Sequence, residues 1–146
     1  MKEKVFEIIK SCEGKIQNLQ EEDYKFILSV CQESIQKIRE ISKKYYCYNW
    51  YNSWGSEYNE NSVLDGILRI DFDKIVFHFH TDTKDGYEGQ GHIEMPLVWL
   101  DDQYAPYYEN NLRWMRIDRL RAEIAKRKKE IAELSEDLRQ MENSLN

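Results

Sequence analysis

All three histidines of the chain, His78, His80 and His92, fall within residues 78–92, and Glu94 follows two residues after the last. Imidazole and carboxylate together are the ligand set of a zinc or iron site. His78 and Glu94 are also a possible acid–base pair, and clustered imidazoles titrate near neutrality, as a pH-sensitive interface requires. The H-x-H spacing places His78 and His80 on one face of a strand, where side chains alternate with period two. What the cluster does therefore depends on the strands that carry it and on what lies opposite.

Period-two patterning predicts three strands. Val63–Phe72 carries Leu64, Leu68, Ile70 and Phe72 on one face; Lys74–Thr81 carries Ile75, Phe77 and Phe79; Gly91–Trp99 carries Ile93, Met95, Leu97 and Trp99. Placing Phe79 opposite Ile93, Phe77 opposite Met95 and Ile70 opposite Ile75 brings the apolar partners onto one face, as an antiparallel meander needs. The same register puts His80 against His92 and Asp65, and His78 against Glu94 and Ile67, on the other face. The expected reading of that face is a half-wet sheet surface with no metal and no cofactor. His78, His80, His92 and Glu94 are the candidates if a metal binds. An H-x-H followed by Asp85 resembles a cupin motif, but the additional strands of a double-sheet barrel are missing. Pro96 cannot donate to a ladder, so the third strand is expected at an edge.

Helical spacing flanks the strands. Val5, Ile8, Ile9, Cys12, Ile16 and Leu19 predict a helix over about residues 2–18, with Gly14 as its weak point. Glu21, Glu22 and Asp23 open a second, over about 21–45, complementing the helix dipole. After Asp101 or Asp102 as cap and Pro106 in the first turn, residues 107–144 hold no further Pro or Gly. Heptad a positions read Ile117, Ile124, Ile131, Leu138 and Leu145, and d positions Leu120, Arg127, Leu134 and Met141. The fold class is thus expected to be α+β: two N-terminal helices, a three-stranded antiparallel β-meander and a long C-terminal coiled-coil helix. Residues 1–110 would form the helical hairpin plus β-meander domain and 111–146 the coiled-coil helix. Oligomerisation is expected through Ile117, Leu120, Ile124, Ile131, Leu134, Leu138 and Met141, most simply as a homodimer, with Arg127 setting register or partner choice.

The charge is unevenly spread. Residues 1–46 carry nine Lys/Arg against eight Asp/Glu, residues 47–110 three against twelve, and residues 111–146 nine against seven. An acidic middle repels nucleic acid and is steered toward basic surfaces, so direct nucleic-acid binding is not expected. Arg113–Lys129 has the look of a basic region before a zipper, but apolar heptads run through it, which fits the solvated flanks of a coiled coil. No G-x-S-x-G, CxxC or phosphate-loop signature occurs. No run is apolar enough to span a membrane, and Cys12, Cys31 and Cys47 read as reduced thiols of a cytoplasmic protein. The run YYCYNWYNSW over residues 45–54 serves either as a roof on the core or as a binding surface. The expected partner-binding residues are Tyr48, Trp50, Tyr51, Trp54, Asp82, Asp85, Tyr87 and Glu88.

The run DGYEGQGHIEMPLVWL from Asp85 to Leu100, leading into an acid-rich helix start, resembles segments of small uncharacterised bacteriophage and mobile-element accessory proteins. That resemblance implies the bacterial host cytoplasm and inhibition of a host defence, without assigning any residue a role. The expected function is a non-enzymatic, anti-CRISPR-like binding protein. It would dock an acidic sheet and aromatic loop on a basic protein surface, such as that of a host nuclease. The alternatives are a sponge for a nucleotide messenger, with Arg69 or the Arg113–Arg121 group meeting phosphate, and a metal-binding enzyme centred on the histidines.

Overall fold

The computed structural model describes residues 2–47, 52–55, 57–82 and 88–145, with side chains left aside at 52–54 and 88. Two compact units follow one another along the chain, Met1–Glu109 and Asn110–Asn146. The first contains α1 (Lys2–Ser11), α2 (Glu21–Lys44), β1 (Asn52–Gly55), β2 (Ser62–Ile70), β3 (Lys74–Asp82) and β4 (Glu88–Pro96). The long α3 (Tyr104–Ser144) begins in the first unit and makes up the second.

The architecture is α+β, with two N-terminal helices, the meander β2–β3–β4 and a long C-terminal helix. A fourth strand, β1, adds to the meander, giving the antiparallel order β1-β4-β3-β2. The first helix is shorter than its apolar pattern predicted. It stops at Ser11 because Glu13 and Gly14 turn left-handed, at φ 56° and 70°, and the Gly14 N–H reaches back to the Ile9 carbonyl at 3.0 Å. That bond closes the helix C-terminus, and residues 16–18 form only a 3-10 turn. At the end of α2 the chain repeats the device: Tyr46 sits at φ 58° and the Cys47 N–H bonds the Ser42 carbonyl at 2.8 Å.

The core forms where α1 and α2 lie on one sheet face. Val5, Ile27, Cys31, Ile35 and Ile38 meet Ile75, Phe77, Phe79, Ile93 and Met95, all essentially inaccessible to solvent. Tyr58 packs edge-on against Phe79, with ring centroids 5.1 Å apart at 77°. Burying side chains of this size is worth roughly 1.5–3 kcal/mol each before entropy is counted. The start of α3 is tied down in the same unit: the Tyr108 and Ser42 hydroxyls lie 2.7 Å apart, and Lys44 Nζ donates to Glu109 Oε1 at 2.8 Å.

The expected register needs three corrections. Between β3 and β4 it is displaced by two residues, with Phe77 opposite Ile93, Ile75 opposite Met95 and Phe79 opposite Gly91. A shift of two preserves side-chain parity, so the apolar faces survive while every individual partner changes. In β2, single-residue bulges at Asp65 and Leu68 break the alternation. Leu64 and Ile67 therefore point inward, Leu68 is exposed, and Phe72 in the following turn is fully exposed. Finally, β4 is not an outer strand along its middle, because β1 pairs with its residues Gly91–Ile93; Pro96 lies beyond that pairing.

The true outer edge at β2 is covered by α2. Gln32 Nε2 donates to the Ser62 carbonyl at 2.8 Å, and the Leu64 N–H donates to Gln32 Oε1 at 2.7 Å. The Ile67 N–H donates to the Tyr24 hydroxyl at 2.7 Å. Edge groups that would otherwise template another strand are thereby occupied.

Candidate functional site: the histidine face and the exposed helix stripe

The sheet face opposite the core carries the histidines, and the bulge at Asp65 organises them. In a regular strand one carboxylate would meet a single cross-strand neighbour. Because Leu64 pairs with Phe79 and Gly66 with His78, Asp65 is the extra residue between them and reaches both flanking imidazoles. His78 Nδ1 bonds Asp65 Oδ1, and His80 Nδ1 bonds Asp65 Oδ2 at 2.8 Å. His92 lies directly across from His78, with ring centroids 5.9 Å apart at 63°. The expected groups, Asp65 with His80 and His92 and His78 with Glu94, thus regroup around Asp65. Glu94 faces Val76 instead and accepts a salt bridge from Lys74 at 3.1 Å.

Burial acts to raise the Asp65 pKa, but the hydrogen bonds and charges of His78 and His80 outweigh it and hold the carboxyl below its ordinary value. An ionised carboxylate only accepts, so Nδ1 carries the proton in both rings. In the neutral rings each Nε2 is then left as a base or ligand atom, oriented as a carboxylate orients a metal-binding or catalytic imidazole. Among the described residues, however, no group of three or more His, Cys, Asp or Glu has the arrangement of a metal site. What the cluster does chemically is to lock two imidazoles onto one carboxylate on the sheet surface. Asp65 followed by Gly66, a turn pair inside a strand pattern, is the sequence signal for the bulge that builds it.

Of the expected partner-binding residues, Tyr48, Trp50, Tyr51, Asp85 and Tyr87 lie outside the described residues, as do the side chains of Trp54 and Glu88. The Trp54 backbone pairs with His92, and Asp82 stands exposed at the end of β3 opposite Glu88. Arg69, one of the candidate phosphate ligands of the nucleotide-messenger alternative, gives its Nε to both oxygens of Asp71 at 2.8 and 2.9 Å. Tyr24 falls on the apolar spacing of the second helix, but neither it nor Gln32 carries a sequence signal for closing the sheet edge. A lone Gln on a helix carries no such signal until the helix is set beside a strand.

The second unit is a helix with an apolar stripe at heptad spacing. Leu120, Ile124, Ile131, Leu134, Leu138 and Met141 are 44–68% exposed, whereas Ile117 is half-buried. Arg127 interrupts the stripe, and its Nε donates sideways to Glu123 Oε1 at 3.1 Å, within the helix. No helix among the described residues is long and apolar enough to cross a membrane. The chain matches no protein-family model, no curated protein and no solved structure.

Proposed function

We propose that this chain is a non-enzymatic binding protein that self-associates through α3 and presents its acidic unit to a basic protein surface. The stripe on α3 carries this reading. Six large apolar side chains at heptad spacing, each roughly half exposed or more, form a face of the kind that mediates association. The acid excess of residues 47–110, twelve Asp/Glu against three Lys/Arg, supports a basic partner. The likeness of Asp85–Leu100 to phage accessory segments favours a bacterial defence nuclease as that partner, its nucleic-acid groove supplying the positive charge. The chain would then act by occupying the groove rather than by chemistry.

Two measurements test the two halves. Sedimentation velocity on the full chain should show an oligomer that Leu134→Glu converts to monomer; a monomeric native chain refutes self-association. Immobilised full-length chain, challenged with bacterial lysate, should retain basic nucleic-acid-binding proteins that high salt releases. Retention confined to neutral or acidic proteins refutes the acidic docking surface.

A further inference from the structure

The charges along α3 are not mixed evenly, and their order bears on how two copies can pair. Within the exposed stripe, residues 120–132 carry five Lys/Arg (Arg121, Lys126, Arg127, Lys128, Lys129) against Glu123 and Glu130, a net of +3. Residues 133–145 carry Glu133, Glu136, Asp137 and Glu142 against Arg139, a net of −3. We propose that two copies pair antiparallel through α3, about a two-fold axis falling between Ala132 and Glu133, so that the two points at which the chain enters the paired segment lie at opposite ends. The proposal rests on the self-association argued above and adds its direction, its register and the geometry of presentation.

Three observations favour this arrangement over a parallel pair. The first is the polar core residue. In a parallel, in-register pair the two Arg127 side chains meet at the same d layer, placing like charges together in a desolvated seam. In the antiparallel register Ile131 packs on the partner's Leu134, Ile124 on the partner's Met141, and Leu120 on the partner's Leu145. Arg127 then lies against the partner's Leu138. Its stem fills that layer while its guanidinium is already drawn out of the stripe toward Glu123, at 3.0 Å.

The second observation is the polarity of the helix. Antiparallel pairing lays the +3 half of each copy along the −3 half of the other, whereas parallel pairing aligns like with like. Paired helices lie about 8–10 Å apart, close to the Debye length of about 8 Å at physiological salt, so these half-helix charges are only partly screened. The flanking pairs alone do not decide between the two. Parallel pairing gains Glu123 with the partner's Lys128 but opposes Asp137 to the partner's Glu142. Antiparallel pairing gains Arg121 with the partner's Glu142 but opposes Glu130 to the partner's Asp137.

The third observation is the charge of the preceding unit. Residues 1–110 carry twelve Lys/Arg against twenty Asp/Glu, a net of −8, and the chain enters α3 directly from that unit. Parallel pairing would start both helices at one end and so tether two strongly acidic units there. Antiparallel pairing separates the two points of entry by the length of the paired segment, about 38 Å for residues 120–145 at about 1.5 Å per residue. The pair would then be bivalent, with two acidic surfaces available to two basic sites at once and a corresponding gain in avidity.

Charge reversal distinguishes the two directions by sign. In the antiparallel register Arg121 meets Glu142 of the other copy, so Arg121→Glu and Glu142→Arg should each weaken the dimer, by roughly tenfold when both symmetry-related pairs turn repulsive. The double variant should restore native affinity. In a parallel pair Arg121 would face the partner's Arg116, and Glu142 the partner's Asp137, so each single reversal should strengthen the dimer. Sedimentation equilibrium on the full chain, with helicity checked by circular dichroism, reads the outcome. Strengthening by the single variants, or a dimer indifferent to both, overturns the antiparallel proposal while leaving self-association intact. A native chain that stays monomeric at every concentration overturns self-association, and the proposal with it.

Discussion

Replacing Gln32 by Ala tests how the sheet edge is closed. The amide makes two bonds to β2, donating to the Ser62 carbonyl at 2.8 Å and accepting from the Leu64 N–H at 2.7 Å. Each such bond is worth about 1 ± 0.5 kcal/mol net, and a buried group left without a partner costs about 1–3 kcal/mol. The site is only partly buried, so water replaces part of the loss. Freeing the Gln side chain and gaining an Ala in mid-helix return roughly 1 kcal/mol. The expected net loss is about 1.5 kcal/mol, or about 6 °C in Tm at roughly 4 °C per kcal/mol for a unit of this size. Urea denaturation gives the energy, and amide exchange at Leu64 tests the mechanism. A local opening made about 1.4 kcal/mol easier speeds exchange about tenfold. Gln32→Glu keeps the acceptor for Leu64 but sets a carboxylate against the Ser62 carbonyl, so it should also destabilise. If Gln32→Ala shifts stability by less than about 0.5 kcal/mol, within the range of ordinary surface substitutions, and leaves Leu64 exchange unchanged, the clamp does not hold the edge.

Gly55 sits at φ 96°, and a Cβ there would lie 2.3 Å from the Gln90 carbonyl oxygen and 2.4 Å from the Gly91 Cα. Gly55→Ala should therefore detach β1 from β4, costing at least about 1–3 kcal/mol of backbone strain and raising amide exchange along Gly91–Ile93; a neutral substitution would refute the pairing. The Asp65 carboxyl is held below its ordinary value of 3.8 by His78 and His80. A depressed folded pKa contributes stability above the unfolded value and loses it as pH falls through the folded one. The gap in urea midpoint between native chain and Asp65→Asn should thus be present above the ordinary carboxyl range and close as pH falls below it; a gap independent of pH would count against the bridge. Burial pushes the Cys31 thiol up to about 12, while Cys47 is partly exposed. A thiol-specific reagent should modify Cys47 in the native chain and Cys31 only on unfolding, and rapid labelling of Cys31 would mean that the α2–sheet core opens readily.

Much of the fold was legible because it depends on periodicity. The heptads of α3 and the alternation of β3 and β4 each report a single face, and a face survives a register shift of two residues. Ile75, Phe77, Phe79, Ile93 and Met95 are therefore legible as core, and Ile70 does face Ile75, even though the partners across β3 and β4 are displaced by two residues. In β2 alternation does not report the buried face, because a bulge adds a residue without changing composition. Alternation places Leu68 and Phe72 on the core face, whereas Ile67 is the buried residue.

By itself the sequence determined the α+β order of elements, the acidic balance of the first unit and the presence of an apolar stripe on the last helix, since each depends on local pattern or simple summation. Tertiary structure decided which side chains meet. It brought His78, instead of His92, to the Asp65–His80 pair, gave Glu94 to Lys74, and turned Gln32 from a helix-surface residue into the closure of an edge strand. The physical reason is that a hydrogen bond needs its partners within about 3 Å, whereas one residue of register is about 3.3 Å. One added residue is therefore enough to bring a second imidazole to Asp65, and a two-residue shift enough to give Glu94 and His92 new partners, while the core faces of β3 and β4 keep their parity.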